Sequence, residues 1–558
     1  MISLLFHEGF HIRFCCVQAV SIYLLLHCCF FSPVTGVAEI RFSVVPVISA
    51  DEEYTDNLFL SEESEEEDLI TVISPGVIAE AETRTANIRF SYNFGYSHYQ
   101  RFSEYDAWRH NSQLTGNMNF SKHTRVEFQN AFLLTEEPAE NIEDRTDAEK
   151  TEAETRETET REAETETVRR SRDRYYTNSS KIRLIHQFGK ADSLTLGYGC
   201  DVLKNEDTTV QNETMHRTSA ALTYGIIPQR LGLDADISYL QNDVSDAKDD
   251  PGYEEETLAS AVYMTYWAIP LRLSFKPGVS YTKGVSNEKN ADEDDNWYES
   301  LSPSLKIMYR FSRHLTVESD GYCTKAITYT SEGLTDPSDD FETWYGSVKL
   351  THQFHRHLEI FARYASSATD YIGSDGTDED YTLYEPSFGI RYLPAKGLPM
   401  NLSVGYLVRD KKQTGKEAAI TVNGELGPWK FAKYGSVKFK ADSGYNEDHF
   451  GPENLGFGFY YNADLSAEYI FSQHVKGTAY GRYQRNRYLD NEETGGETRN
   501  DKSREIGAGL VFHPEKWWSV RLDYIHRDVS STDEQDSYED NRILLKLGIS
   551  PARGIRIW

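Results

Sequence analysis

One pattern repeats along the chain from about residue 86: a strand, a short turn, a second strand and a long polar loop. Within each strand apolar and polar residues alternate. In 462–471, for example, Ala463, Leu465 and Ala467 share one face while Asp464 and Glu468 occupy the other. Alternation with a period of two is typical of strands that are buried on one side only. The sequence therefore predicts an all-β fold.

The short turns resemble one another, with an aromatic residue, two polar residues and a histidine. They occur at 120–123, 311–314, 354–357 and 471–474, with a looser variant at 426–429. Short turns alternating with long loops are typical of up-and-down barrels that have one smooth end and one looped end. Because the histidines recur with the turn, we interpret them as turn residues and predict no metal site.

Strand length separates a membrane barrel from a soluble β protein. A propeller also repeats at about 40 residues, but with four short strands per blade. Here each repeat holds two strands, long enough to cross a bilayer when tilted. The 36 Tyr residues suit aromatic girdles, although a soluble β protein could share them. We predict a single large antiparallel up-and-down transmembrane barrel of about 24 strands, within a range of roughly 20–26, with short periplasmic turns and long acidic external loops.

The N-terminus indicates export. An apolar run at 15–31 precedes small residues at 36–38 and then the polar Glu39. This layout predicts a signal peptide at 1–38, and a barrel that occupies 39–558. Four of the six cysteines lie in the leader, so Cys200 and Cys323 remain, on separate predicted strands, and form no disulfide framework.

Two acidic segments interrupt the repeat, at 51–68 and 135–172, in a chain of net charge −31. Their charge density offers no apolar surface to bury, so we expect solvated external loops. For the longer segment, the alternative is a flexible acidic lid, or a site where divalent cations bridge to lipopolysaccharide.

The polar positions of the strands carry more bases than acids. We predict that the following basic side chains line the lumen and form a candidate anion path: Lys306, Arg310, Lys349, Arg363, Arg391, Arg409, Lys438, Lys440, Arg521, Arg542 and Lys546. Rings of Arg and Lys favour anions in a pore. The alternative is that these charges pair across neighbouring strands and hold the barrel's shape.

Enzyme motifs are missing from the sequence. It contains no Gly-x-Ser-x-Gly, no phosphate-binding glycine loop and no His-Glu-x-x-His. We therefore predict no catalytic residues, no cofactor and no enzymatic activity.

Four segments near the start carry a family resemblance: Val-Val-Pro-Val-Ile-Ser at 44–49, Tyr-Thr-Asp-Asn-Leu-Phe at 54–59, Ser-Pro-Gly at 74–76 and Phe-Ser-Tyr-Asn-Phe-Gly-Tyr at 90–96. Together they resemble the opening of the PEP-CTERM-associated outer-membrane β-barrel family, a porin-like group. The resemblance implies an integral protein of a Gram-negative outer membrane, encoded beside exopolysaccharide-biosynthesis genes, and no catalytic residues to carry over.

Three functions remain open at this point. The first is a passive conduit that exports an acidic exopolysaccharide. The second is a general or oligosaccharide-uptake porin, and the third is a structural or adhesive surface barrel. The expected partners are outer-membrane lipid and lipopolysaccharide, a polysaccharide substrate and periplasmic export components, with no nucleic acid.

The C-terminus fits the barrel badly. Trp558 is aromatic, but Gly554 and Arg556 occupy positions that should be apolar in a closing strand. We expect that a final hairpin is missing and that the seam between the first and last strands stays open. The alternative is that 539–550 closes on 39–49 and the tail hangs free.

Overall fold

The structure, a computed structural model, describes residues 40–62, 64–137, 172–245, 247, 252–288, 295–329, 340–372, 380–394, 397–411, 415–431, 434–448, 456–488, 499–532, 537–551 and 555–556. The predicted signal peptide and most of the predicted loop 135–172 lie outside these residues. Within them, no helix is long and apolar enough to cross a membrane.

The described residues form twenty-four long strands, followed by a two-residue strand. They are β1 Arg41–Thr55, β2 Asp68–Glu82, β3 Ala86–Tyr99, β4 Ala107–Asn119, β5 Thr124–Thr135, β6 Tyr175–Gln187, β7 Ser193–Asn205, β8 Glu213–Ile227, β9 Leu231–Val244, β10 Tyr253–Ile269, β11 Leu273–Glu288, β12 Asp295–Arg310, β13 Leu315–Tyr329, β14 Phe341–His355, β15 Leu358–Tyr371, β16 Tyr381–Tyr392, β17 Met400–Lys411, β18 Gly415–Phe431, β19 Gly435–Asp448, β20 Gly456–Ile470, β21 Val475–Tyr488, β22 Asn500–Glu515, β23 Trp518–Ser530, β24 Tyr538–Ile549 and β25 Ile555–Arg556. A short 3₁₀ helix, Ser103–Tyr105, lies between β3 and β4.

Each strand from β1 to β23 pairs antiparallel with the next, and β1 also pairs with β24. The barrel is therefore closed, and the predicted fold class and strand number are confirmed. Closure matters because every strand then has two partners, and neither the first nor the last long strand remains as a free edge of the sheet.

The seam between β1 and β24 does not stay open as we expected. Residues 48–55 pair with 542–549 in one continuous ladder, and Ser43 and Val44 pair with β25. The expected open seam is thus wrong. Proline has no backbone N–H to donate to a neighbouring strand. Pro46 lies between the two ladders, where the loss of this donor costs least.

Short turns and long loops alternate around the barrel, and the recurring turn has a structural explanation. The Ser312 hydroxyl accepts a hydrogen bond from the backbone N–H of His314 (3.1 Å), whose ring Nδ1 donates to the carbonyl of Gln353 in the next hairpin (2.9 Å). His474 makes the same bond to the carbonyl of His513 (2.9 Å). A carbonyl can only accept, so Nδ1 carries the proton here. The turn histidines tie neighbouring hairpins together.

Two predicted connections are placed differently. The segment 426–429 is not a turn but an irregularity inside β18, where the register shifts and Gly427 has a φ of 110°. Because Gly427 supplies the positive φ that a bulge needs, β18 continues past it to Phe431, and β19 begins at Gly435. The first acidic connection is 56–67 rather than 51–68, since β1 extends to Thr55.

The outer surface is apolar. Trp344, Phe388 and Ile420 are 58%, 57% and 59% exposed, and similar side chains continue around the barrel. Val, Ile and aromatic residues suit a pleated surface of this kind. An exposed apolar belt of this extent is what a surface in contact with lipid requires.

Candidate functional site: the lumen and its charged wall

Strand register shows which side chains face the lumen. Residues directly opposite one another in an antiparallel ladder share a face. On β14, for example, Trp344 and Val348 are exposed on the outside, so Tyr345, Ser347 and Lys349 face inward. By the same rule all eleven predicted basic residues lie on the lumen face.

Six of the eleven lie beside a carboxylate. The pairs are Arg363–Glu385 (3.8 Å), Arg409–Glu417 (3.7 Å), Lys438–Glu425 (3.0 Å), Arg521–Asp523 (2.6 Å), Lys546–Asp51 (3.2 Å) and Arg542–Asp540. For these residues the geometry favours the alternative interpretation, in which lumen charges pair and hold the shape of the wall. An exposed pair such as Lys438–Glu425 contributes little to stability, about 0–1 kcal/mol.

The other five have no carboxylate within 4.0 Å in the part of the chain that the structure describes. They are Lys306, Arg310, Lys349, Arg391 and Lys440, which lie on the wall formed by β12 to β19. The Lys349 ammonium instead lies 4.4 Å from the centroid of the Phe361 ring, a cation–π contact. Among the eleven predicted residues, those without a close carboxylate therefore all lie on this part of the wall.

Arg409 departs from the prediction that it lines an aqueous path. It is only 4% exposed, with its guanidinium 4.7 Å from the Tyr381 ring centroid and 4.1 Å from that of Phe457. A planar guanidinium packs well between aromatic faces. Its burial is explained by an overlap between two parts of the barrel wall.

Beyond Asp442, towards the long loops, β19 separates from β18 and two parts of the barrel wall overlap. The ladder between β18 and β19 ends at Asn423 and Asp442, although β19 stays paired with β20 as far as Asp448. At the break, the Ser443 hydroxyl accepts a hydrogen bond from the backbone N–H of Val422 (2.7 Å). A side chain thus replaces a ladder bond where the two strands separate.

Beyond the break, the upper parts of β19 and β20 pass inside the neighbouring wall. Phe457 and Phe459 of β20 pack against Leu383 and Leu407, which face the lumen from β16 and β17. On the same strand face, Leu465 is exposed on the outside of the barrel lower down. The overlap therefore buries an aromatic cluster inside the barrel and narrows the lumen at the end that carries the long loops.

A pair of tyrosines lies next to this overlap. Tyr322 and Tyr345 are opposite one another on β13 and β14, with ring centroids 4.7 Å apart and planes at 16°. The Tyr345 hydroxyl accepts a hydrogen bond from Nη2 of Arg363 (2.6 Å). Tyr322 is 41% exposed although it faces inward. Part of its surface is therefore accessible from the lumen.

The loop 56–67 also enters the lumen. Leu58 is fully buried and packs with Ile70, Val72 and Tyr99, all on the lumen face of β2 and β3. This apolar cluster holds the start of the loop against the inner wall, so that part is not solvated as the acidic composition predicts, whereas Glu62, Glu65 and Glu67 further along are exposed.

Both described ends of the long insertion are anchored at the same place. Glu136 is 0% exposed, and its carboxylate accepts hydrogen bonds from Arg109 Nε (2.8 Å) and the Tyr99 hydroxyl (2.9 Å). Arg172, also buried, donates from Nε and Nη2 to the carbonyl of Leu58, each at 3.1 Å. The chain thus leaves and re-enters the described structure at the lumen mouth.

Comparison with known proteins supports the architecture. Residues 395–550 match the model of a family described as "Putative beta-barrel porin 2". No curated protein matches the chain. The chain is similar to the solved FrpB iron transporter from Neisseria meningitidis in its F5-1 apoprotein form, at 11% identity and a TM-score of 0.52, covering 91% of this chain and 81% of that one.

Two further solved structures are similar. The F3-3 variant of FrpB gives 11% identity and a TM-score of 0.50, with 91% and 81% covered. The siderophore receptor PirA from Pseudomonas aeruginosa gives 8% and 0.45, with 91% and 80% covered. At this identity the FrpB structures support the large barrel fold alone, and the chain is a porin-like barrel in architecture.

Sequence reasoning missed several lumen residues. It overlooked Asp51, Glu385 and Glu417, which neutralise predicted bases. It also missed the Tyr322–Tyr345 pair, although extending the alternation of β13 past Asp320 would have placed Tyr322 inward.

Cys200 and Cys323 are free thiols. Among the described residues, no group of three or more His, Cys, Asp or Glu could hold a metal ion.

Proposed function

We propose that this chain is an integral outer-membrane channel, exported by a signal peptide at 1–38, that acts as a passive conduit for an acidic exopolysaccharide. The observation that carries the proposal is the combination of a closed barrel, an apolar outer belt and a lumen wall with bases that lack a close carboxylate. The described residues suit transport because they line a passage, and we assign no enzymatic activity.

The anionic substrate is inferred from Lys306, Lys349 and Arg391. These three bases lie on the wall from β12 to β16 without a carboxylate within 4.0 Å among the described residues, whereas six other predicted bases lie beside carboxylates. A group of positive charges on one part of the wall attracts a polyanion, and a complete ring of basic residues is not required. The similarity of 44–96 to barrels encoded beside exopolysaccharide genes supports the export direction.

Planar-bilayer recording tests the proposal. The purified protein should form discrete channels whose reversal potential in a salt gradient indicates anion preference. An acidic polysaccharide on the side of the short turns should reduce the current more than a neutral polysaccharide of the same length. Recovery of the protein in the soluble periplasmic fraction, or the absence of any channel activity, contradicts the proposal.

A further inference from the structure

The Tyr322–Tyr345 pair lies in a row of lumen-facing residues, and Tyr322 is the more exposed of the two. The row runs across four strands as Ser304, Tyr322, Tyr345 and Ser367. Serines, which are small, flank the pair in this row. Because the two rings stack on each other, the aromatic surface that the pair presents to the polar lumen is the exposed part of Tyr322.

The next row towards the short turns supplies positive charge and fixed polar groups. Lys306 lies opposite Asp320, whose carboxylate accepts a hydrogen bond from Ser347 (2.7 Å). Arg363 reaches up from the row below to the Tyr345 hydroxyl, and its Nη1 lies 3.8 Å from Glu385. A guanidinium has five N–H donors, so Arg363 keeps donors for a further anionic group.

The overlapped wall bounds the same space from another side. Tyr445, on the part of β19 that passes inside the barrel, lies within electrostatic range of Tyr322, Tyr345, Arg363 and Glu385. Its ring stacks on Phe457 with centroids 5.3 Å apart, which fixes its position. The tyrosine pair thus faces a narrowed part of the lumen rather than its open centre.

We propose that Tyr322 and Tyr345 form a binding platform for a pyranose residue that carries a carboxylate, as in a polymer of uronic acids. The C–H face of the sugar packs on the exposed aromatic surface, and the carboxylate points to Lys306 and Arg363. The inference rests on the proposed function and names the substrate class and the site. Small-molecule sites are usually composed of an aromatic wall and a few polar groups that converge on it.

Binding to the purified full-length barrel in detergent provides the test, measured by isothermal titration calorimetry. The probes are a hexamer of galacturonic acid and neutral maltohexaose. We expect the acidic probe to bind at least tenfold more tightly than the neutral one. Tyr322→Ala and Tyr322→Leu should each weaken that binding about tenfold, while Tyr322→Phe, which keeps the ring, should leave it unchanged.

Two controls separate the platform from general effects. Tyr480→Ala removes another lumen-facing tyrosine, on β21, and should leave binding within twofold. Lys306→Ala should weaken binding of the acidic probe only. Heat-modifiable migration on gels verifies that each variant is folded. Unchanged binding in both Tyr322→Ala and Tyr322→Leu overturns the platform, as does equal binding of the two probes.

The failure of this site can be distinguished from the failure of the conduit. Channels that conduct but are not blocked by the acidic hexamer contradict the site and leave the channel intact. Tight binding of the hexamer to a barrel that never conducts supports the site and contradicts the conduit.

Discussion

The carboxylate of Asp56 accepts two hydrogen bonds from Asn541, one from its backbone N–H (2.7 Å) and one from its side-chain Nδ2 (2.8 Å). These residues come from opposite ends of the chain and meet at the long-loop end of the seam. Thr55 donates to the Asp540 carboxylate (2.8 Å), and Asn57 donates to the Glu539 carbonyl (2.7 Å). The Thr-Asp-Asn element that carries the family resemblance therefore joins the first strand to the last.

Asp56→Ala should weaken the closure of the barrel. Losing two hydrogen bonds to a charged acceptor at a partly exposed site should lower the free energy of unfolding by about 2–3 kcal/mol. Urea unfolding in lipid vesicles, followed by the change in gel mobility, measures this. Glu104→Ala removes an exposed acid from the 3₁₀ helix and is the matched control, expected within about 0.5 kcal/mol of the parent. Equal stability of the two variants would show that the seam depends on its ladder alone.

Reversing charge on the accessible wall should change ion selectivity. In Lys306→Glu combined with Lys349→Glu, the cation-to-anion permeability ratio should rise about twofold or more, because both ammonium groups face the lumen without a close carboxylate. Reversal potentials in a salt gradient measure the ratio. Lys122→Glu with Lys190→Glu makes the same charge change on short turns. A shift of the same size in that control would place the selectivity at the rim.

Arg409→Ala should act on packing rather than on selectivity. The substitution removes the buried guanidinium from between the Tyr381 and Phe457 rings and leaves a gap there, which should lower the free energy of unfolding by about 2–3 kcal/mol. Because the overlap of β20 on β16 and β17 loosens, single-channel conductance should rise. Arg409→Met restores apolar volume and should recover most of the stability. Normal conductance and stability in Arg409→Ala would mean that the overlap does not depend on this side chain.

Local alternation was sufficient to predict the strands and their faces. The placement of Lys306, Lys349 and Arg391 on the lumen face follows from neighbouring residues in one strand, so a single sequence contains the information. The short turns were predictable for the same reason, because the Ser and His side chains bond within the turn or to the adjacent hairpin.

Features set by distant residues could not be predicted. Whether β1 meets β24 depends on the curvature accumulated over the whole sheet, and the C-terminal pattern alone indicated an open seam. The burial of Arg409 depends on the end of the β18–β19 ladder at Asp442, where Ser443 looks like an ordinary strand residue. The inward path of loop 56–67 depends on Leu58, an apolar residue hidden in an acidic segment.

The last prediction concerns the length of the acidic insertion that can be removed. From composition we expect that the whole segment 135–172 can be removed without loss of folding. Its described ends contradict this for the terminal residues, because they are bonded to the barrel. Glu136 accepts hydrogen bonds from Arg109 and Tyr99, and Arg172 donates to the carbonyl of Leu58. Both ends are therefore part of the inner wall.

Deleting 138–171, with a short Gly-Ser link, should therefore leave a barrel that assembles with normal heat-modifiable migration, because the removed segment offers no apolar surface to bury. Deleting 135–172 should lower stability by about 3–5 kcal/mol, since it leaves the Arg109 guanidinium buried without its carboxylate. Urea unfolding of the two deletions measures the difference. Failure of the shorter deletion to assemble would make the insertion structural. An increase in its conductance would favour the acidic lid over a solvated loop.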